Sequence, residues 1–280
     1  MLLFSYILGN IIALSLFIKR NLVPRLCKIN FTILKLIFNK GLLLFIYNVF
    51  YYLIFISNRT LISKYYSIEE FGLYAFAFNL ANAIFLLADS FTFILFPKLI
   101  EKLYTPDKME VNKNIDYIRR NYLTFLQCIV YVSLIILTIV LEFLPQYRSS
   151  FVSLGFISIA FILSSNIIGY NFFLMAYNKD KQLAISSFIS LLINILGGLI
   201  IIKYIHTSYE YVLFSVFISY IFLSVLLYYF SKKFLNEKFN CVHLINNLFP
   251  IQQVLPLLLT FFIVSFELKT LIFIPALTFM

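Results

Sequence analysis

An aspartate at position 89 interrupts the apolar run LLADSFTFILFPKL (residues 86–99). A carboxylate at helix depth in lipid costs about 2.5–3.5 kcal/mol on insertion scales, and such residues commonly mark a substrate or ion path. Each helical residue advances about 100°, which puts Asn79, Asn82 and Asp89 on one face and Asn48, Tyr52 and Arg59 on one side of the preceding segment. Ser186, Ser190, Asn194 and Gly197 form a third stripe, and Asn166 with Tyr170 a shorter one. These residue types bind rather than cut. Arg59 is the one base on a stripe and the candidate for anion contact, with snorkelling to the interface as the alternative. Asp89 either lines a cavity, where it is a candidate for coupling to protons or sodium, or holds a neighbouring helix. The serine and asparagine stripes read as hydrogen bonds between helices. Glu142 and Glu267 are expected to reach water, and His206 and His243 receive no role. No catalytic residue, phosphate-binding glycine loop or metal site is visible. Only 7 Gly occur in 280 residues, and Cys27, Cys128 and Cys241 lack metal or redox spacing. No cofactor is expected.

The elements that must position these residues lie in lipid. The chain is 62% hydrophobic and 12% charged, too little polar surface to coat a soluble core. Spanning segments are then helices or a closed barrel. The apolar runs are continuous and helix-length, without the period of two that barrel strands require, so the class is all-α and polytopic. Eight spans are expected: 2–18, 41–62, 71–96, 122–144, 151–177, 183–202, 209–230 and 248–266. A run at 271–280 is a possible ninth. The first run has no basic residues ahead of it and no small-residue cleavage site, so it reads as a retained helix rather than a signal peptide.

A net charge of +10 would suggest nucleic acid in a soluble protein, but here position matters more than the sum. If the spans alternate, the basic residues of loops 19–40, 97–121, 178–182 and 231–247 share one side. Arg59, Lys64, Arg148, Lys203 and Lys269 fall on the other. The richer side is cytoplasmic by the positive-inside rule, so the N-terminus is expected outside and no nucleic-acid partner is implied.

The stretch from Asn58 to Leu103 resembles the Wzx-type polysaccharide (O-antigen) flippases of the MATE-like MOP superfamily. The elements that carry the resemblance are Asn58-Arg59, Glu70-Phe71-Gly72-Leu73-Tyr74 and Phe96-Pro97-Lys98, joined by MAYNKDKQLAISSFISLLINILGGLIII further on. The family places Asp where Asn58 stands, which removes an ion-pair partner from Arg59.

The resemblance implies the second lobe of a two-lobe transporter: residues 1–40 as the last helix of the first lobe plus a basic cytoplasmic linker, residues 41–280 as the second-lobe bundle. It implies a cationic, partly hydrated cavity that takes a polyprenyl-diphosphate-linked oligosaccharide while the tail stays in membrane lipid. It places the chain in the bacterial cytoplasmic (inner) membrane. Arg59, Asn48, Tyr52, Asn79, Asn82 and Asp89 are then the cavity candidates. Two bodies are needed for alternating access, so a separate N-terminal-half chain or self-assembly is implied, unless the chain is a non-functional remnant. Rivals are a membrane-embedded polysaccharide polymerase or glycosyltransferase, disfavoured by the short outer loops, and a multidrug exporter of the same superfamily.

Overall fold

The computed structural model describes residues 14–16, 18–19, 30–104, 107–205, 208–237, 241–272 and 274–279. The chain divides into two compact units, Met1–Gly41 and Leu42–Met280. The expected span 2–18 lies largely outside the described residues, as does the expected linker up to residue 29. In the first unit residues 14–16 and 18–19 are helical, and helix α1 begins at Phe31 within the segment expected as linker.

The helices are α1 (Phe31–Tyr65), α2 (Ile68–Leu103), α3 (Lys108–Glu142), α4 (Phe151–Ser165), α5 (Tyr170–Ala176), α6 (Asp180–Ile200), α7 (Leu213–Phe234), α8 (Cys241–Leu248), α9 (Ile251–Ser265) and α10 (Ile274–Phe279). No strand occurs among the described residues. Among the described residues, six helical segments are long and apolar enough to cross a bilayer: Phe31–Tyr65, Ile68–Leu103, Met109–Glu142, Pro145–Ser165, Asp180–Ile205 and Tyr209–Phe234. The fold is that of an all-α, multi-pass membrane protein, and these six coincide with six of the expected spans. The expected span 248–266 holds a helix of 15 residues, and the run 271–280 one of 6.

Two boundaries differ from expectation. The long loop 97–121 is mostly helix: α2 runs on to Leu103 and α3 begins at Lys108. A 35-residue helix is about 52 Å long against an apolar core of about 30 Å, so helical hydrogen bonding outlasts apolarity. Asp107 starts α3 by accepting from the Met109 amide at 2.9 Å, and Asn114 donates to the Lys102 carbonyl at 2.9 Å, closing the turn. Ser67 and Glu70 form a capping box at the start of α2, which gives Glu70 a structural role.

The second difference is a break in the expected span 151–177. Helix α4 ends at Ser165 and α5 begins at Tyr170, with Gly169 at φ +91° between them. A left-handed residue ends helical hydrogen bonding, and glycine adopts it without a Cβ clash. Asn166 and Tyr170 therefore do not share a continuous helix face. The freed carbonyls are taken by Arg119 of α3, which is 3% exposed. It donates to the carbonyls of Asn166, Ile168 (2.9 Å) and Asn247 (3.1 Å), and its guanidinium lies 4.5 Å from the Tyr170 ring centre.

Helix α4 is the centre of the bundle, with every residue but Val152 buried. A helix apolar all round needs neighbours on all sides. Phe161 packs on Phe55 of α1 and Phe85 of α2 at ring separations of 4.9 and 4.8 Å. Gly155 lets α9 approach: a Cβ there would sit 2.3 Å from a methyl of Val264, which is fully buried. Gly155→Val is expected to destabilise the protein by about 1–3 kcal/mol, the usual cost of overpacking. Val264→Ala in the same chain should recover part of it. Denaturant titration in mixed micelles measures both, and an unchanged midpoint for Gly155→Val would remove the close-approach argument.

Helices α1, α6 and α7 are joined by a buried polar node. The two N–H of Asn194 are shared among the Ile54 carbonyl (2.7 Å), Ser57 Oγ (2.8 Å) and Asn58 Oδ1 (2.9 Å), and its Oδ1 accepts from Ser215 Oγ (2.8 Å). Asn58 donates to the Val212 carbonyl (3.1 Å) and Ser215 Oγ (3.2 Å). The asparagine at position 58 thus has a physical reason: a carboxylate there has no N–H to give the Val212 carbonyl.

Candidate functional site

A cavity of about 720 Å³ lies among α1, α2, α3 and the α4–α5 break. Each wall follows from the helix that supplies it. Helix α1 contributes Tyr47, Asn48, Tyr51 and Tyr52, four positions within two turns. Helix α2 contributes Phe85, Asp89, Thr92, Phe93 and Phe96 at about the i, i+4, i+7, i+8 spacing of one helical face, and Leu86, Ala88, Ser90 and Ile94 beside that face. Four residues after Phe93, Pro97 sits inside this helix and lacks the N–H that would bond the Phe93 carbonyl. Helix α3 adds Tyr122 and Leu126. The break adds Ser164, Ser165, Ile167, Ile168 and Asn171. The unwound backbone that Arg119 clamps is therefore also a cavity wall. Broken helices at membrane depth are tolerated where they line a cavity or are buried in protein.

Asp89 is half-buried and accepts a hydrogen bond from the Tyr52 hydroxyl at 3.1 Å, joining α2 to α1 across the cavity. One turn along, Thr92 meets the Tyr122 hydroxyl of α3 and also donates to the Ala88 carbonyl at 2.9 Å. Among the described residues no salt bridge to this carboxylate occurs. Among the described lining residues there is no Lys or Arg, so this chain's share of the wall is not the cationic one that the family resemblance implied.

The structure brings three of the six candidate residues together: Asn48, Tyr52 and Asp89 line the cavity. Asn79 is exposed, Asn82 is half-buried, and both lie outside this lining. Arg59 also lies outside it, with its guanidinium 5.8 and 5.9 Å from the rings of Phe71 and Phe78. Glu142 pairs instead with Arg148 at 3.0 Å and with Lys269 at 3.7 Å.

Other lining residues carry a weaker signal in sequence. Tyr47 and Tyr51 are spaced i, i+4 in the run that holds Asn48 and Tyr52, and Tyr122 is the first residue of its apolar run. Ser164, Ser165 and Asn171 flank a break that apolarity does not announce.

The arrangement can hold a ligand that combines apolar faces with hydroxyls. Aromatic rings supply flat apolar contact, and the carboxylate, carboxamides and hydroxyls supply oriented hydrogen bonds. Comparison with protein-family models, with curated proteins and with solved structures found no match to the chain. Its class accordingly rests on its own helices: a helical, multi-pass membrane protein with a tyrosine-rich cavity built around one carboxylate.

Proposed function

We propose that the chain is the second lobe of a flippase that moves a polyprenyl-diphosphate-linked oligosaccharide across the bacterial cytoplasmic membrane, with its basic helix ends inside. The observation that carries this reading is the cavity wall of Tyr47, Tyr51, Tyr52, Tyr122 and Asp89. A sugar ring has an apolar C–H face that packs on an aromatic ring, and hydroxyls on its edge that donate to a carboxylate. The reaction is translocation, with no bond made or broken. The lobe works with a second body, supplied by a partner chain or by a second copy.

One observation favours a second reading. A carboxylate among aromatic rings without a nearby base also suits an organic cation, as a multidrug exporter would need.

A binding measurement on the purified chain in neutral detergent separates the two. The glycan-bearing lipid is expected to bind about tenfold or more tightly than the same polyprenyl diphosphate without its glycan. Tyr52→Phe and Asp89→Asn should erase most of that difference. Tyr52 is exposed and Asp89 half-buried, so neither change leaves a fully buried group unpaired. If the glycan adds nothing while tetraphenylphosphonium binds in an Asp89-dependent way, the exporter reading replaces this one. If neither ligand responds to Asp89, both readings fail.

A further inference from the structure

A second cavity, of about 950 Å³, lies where α3 meets the start of α9. Its chemistry is the opposite of the first. Two guanidiniums, Arg119 and Arg120, line it against one carboxylate, Asp116, leaving a net positive charge. Arg119 is held in place by its three carbonyl acceptors, and Arg120 is exposed. The carboxamides of Asn246, Gln252 and Gln253 complete the polar wall. Gln253 is 9% exposed and its Oε1 finds no hydrogen-bond partner among the described residues. A buried amide left unsatisfied beside a polar cavity calls for a ligand group. A half-turn of its last torsion exchanges carbonyl and NH₂, so the same side chain accepts from a hydroxyl or donates to an anion.

The first turn of α9 forms part of this wall through Pro250, Ile251 and Gln252. The first amides of a helix have no helical acceptor and sit at the positive end of its dipole. Depth fits a headgroup: Arg119 and Arg120 come three and two residues before Tyr122, where the apolar run of α3 starts. Apolar groups lie alongside, with Ile251 82% and Leu255 50% exposed.

We propose that this cavity binds the phosphate of an anionic lipid headgroup, with Arg120, the Arg119 guanidinium and the α9 amides as donors and Gln253 completing the shell. The acyl or prenyl chain runs over Ile251 and Leu255. The site is separate from the tyrosine cavity and does not depend on the glycan reading.

Native mass spectrometry and thermal shift on the full chain in neutral detergent test it, with four probes: phosphatidylglycerol, polyprenyl diphosphate, inorganic phosphate and phosphatidylcholine. Either anionic amphiphile should bind and raise the melting temperature, while phosphatidylcholine, whose phosphate is neutralised by its own choline, should not. Preference for phosphatidylglycerol assigns the site to a membrane phospholipid, and preference for the diphosphate assigns it to an isoprenoid carrier. Arg120→Gln, at an exposed position, should weaken binding about tenfold, in line with loss of one charge-assisted contact. Gln253→Leu should weaken it as well, while Asp89→Asn should not. Retention of only inorganic phosphate, equal retention of phosphatidylcholine, or wild-type binding by Arg120→Gln and Gln253→Leu would each overturn the proposal.

Discussion

Arg119→Ala is expected to lower stability by about 3–5 kcal/mol, the largest loss of any single substitution outside the apolar core. Three backbone carbonyls accept from this one side chain, those of Asn166 and Ile168 in buried bonds and that of Asn247 in a part-buried one. Hydrogen bonds to a charged donor contribute about 1.5–3 kcal/mol each, and acceptors left dry cost their full desolvation penalty. Replacing a buried ion pair by apolar residues is sometimes neutral, because both partners go. Here the partners are main chain and stay. Arg119→Met is therefore expected to fail nearly as badly as alanine despite filling the space. Arg119→Lys keeps the charge but not the planar fork, and should recover only part of the loss. The measurement is denaturant titration in mixed micelles, with proteolysis around residues 166–169 as a local readout. A midpoint for Arg119→Ala within experimental error of wild type would show that the break is held by something else.

The second large effect is expected at the α1–α6–α7 node. Asn194→Ala removes one side chain that satisfies four groups, those of Ile54, Ser57, Asn58 and Ser215. Hydrogen bonds between membrane helices average about 0.6 kcal/mol in double-mutant cycles, with a maximum near 1.7. Losing a node of four supports a total of about 2–3 kcal/mol. Asn58→Ala should cost a similar amount. Because the two side chains bond each other and share Ser215, the double variant is expected to cost less than the two single costs combined, with a coupling of about 1 kcal/mol. Additivity within about 0.3–0.5 kcal/mol would mean that the two asparagines act separately. Asn58→Asp is the sharper variant. It nearly keeps the shape, and it restores the residue type that the flippase pattern carries, but it removes both donors and buries a charge. It is expected to be at least as damaging as alanine.

These two regions differ in how far they could be read in advance. The Asn194 stripe was visible as helical spacing, and its role as a hydrogen-bonding seam follows from the lack of water in lipid. Its partners were not visible: Asn58 and Ser215 are 136 and 21 residues away in the chain. Arg119 sat in what read as a solvated basic loop, since apolarity begins only at Tyr122. A helix can leave the bilayer and stay a helix, so hydropathy marks where lipid ends and not where the helix ends.

The information legible along the chain alone is therefore one-dimensional. Composition places the chain in lipid. Run length makes its segments helices, and helical period assigns each polar residue to a face. Asp89 stood out because a carboxylate in an apolar run is costly wherever that run ends up. The tertiary structure decided which faces meet. It set Tyr52 against Asp89 across 37 residues, left Asn79, Asn82 and Arg59 outside that cavity, broke one expected span at Gly169, and buried a loop arginine in the gap. The reason is physical: period and propensity act within one helix, whereas cavities and helix breaks are stabilised by neighbours whose approach depends on packing along the whole chain.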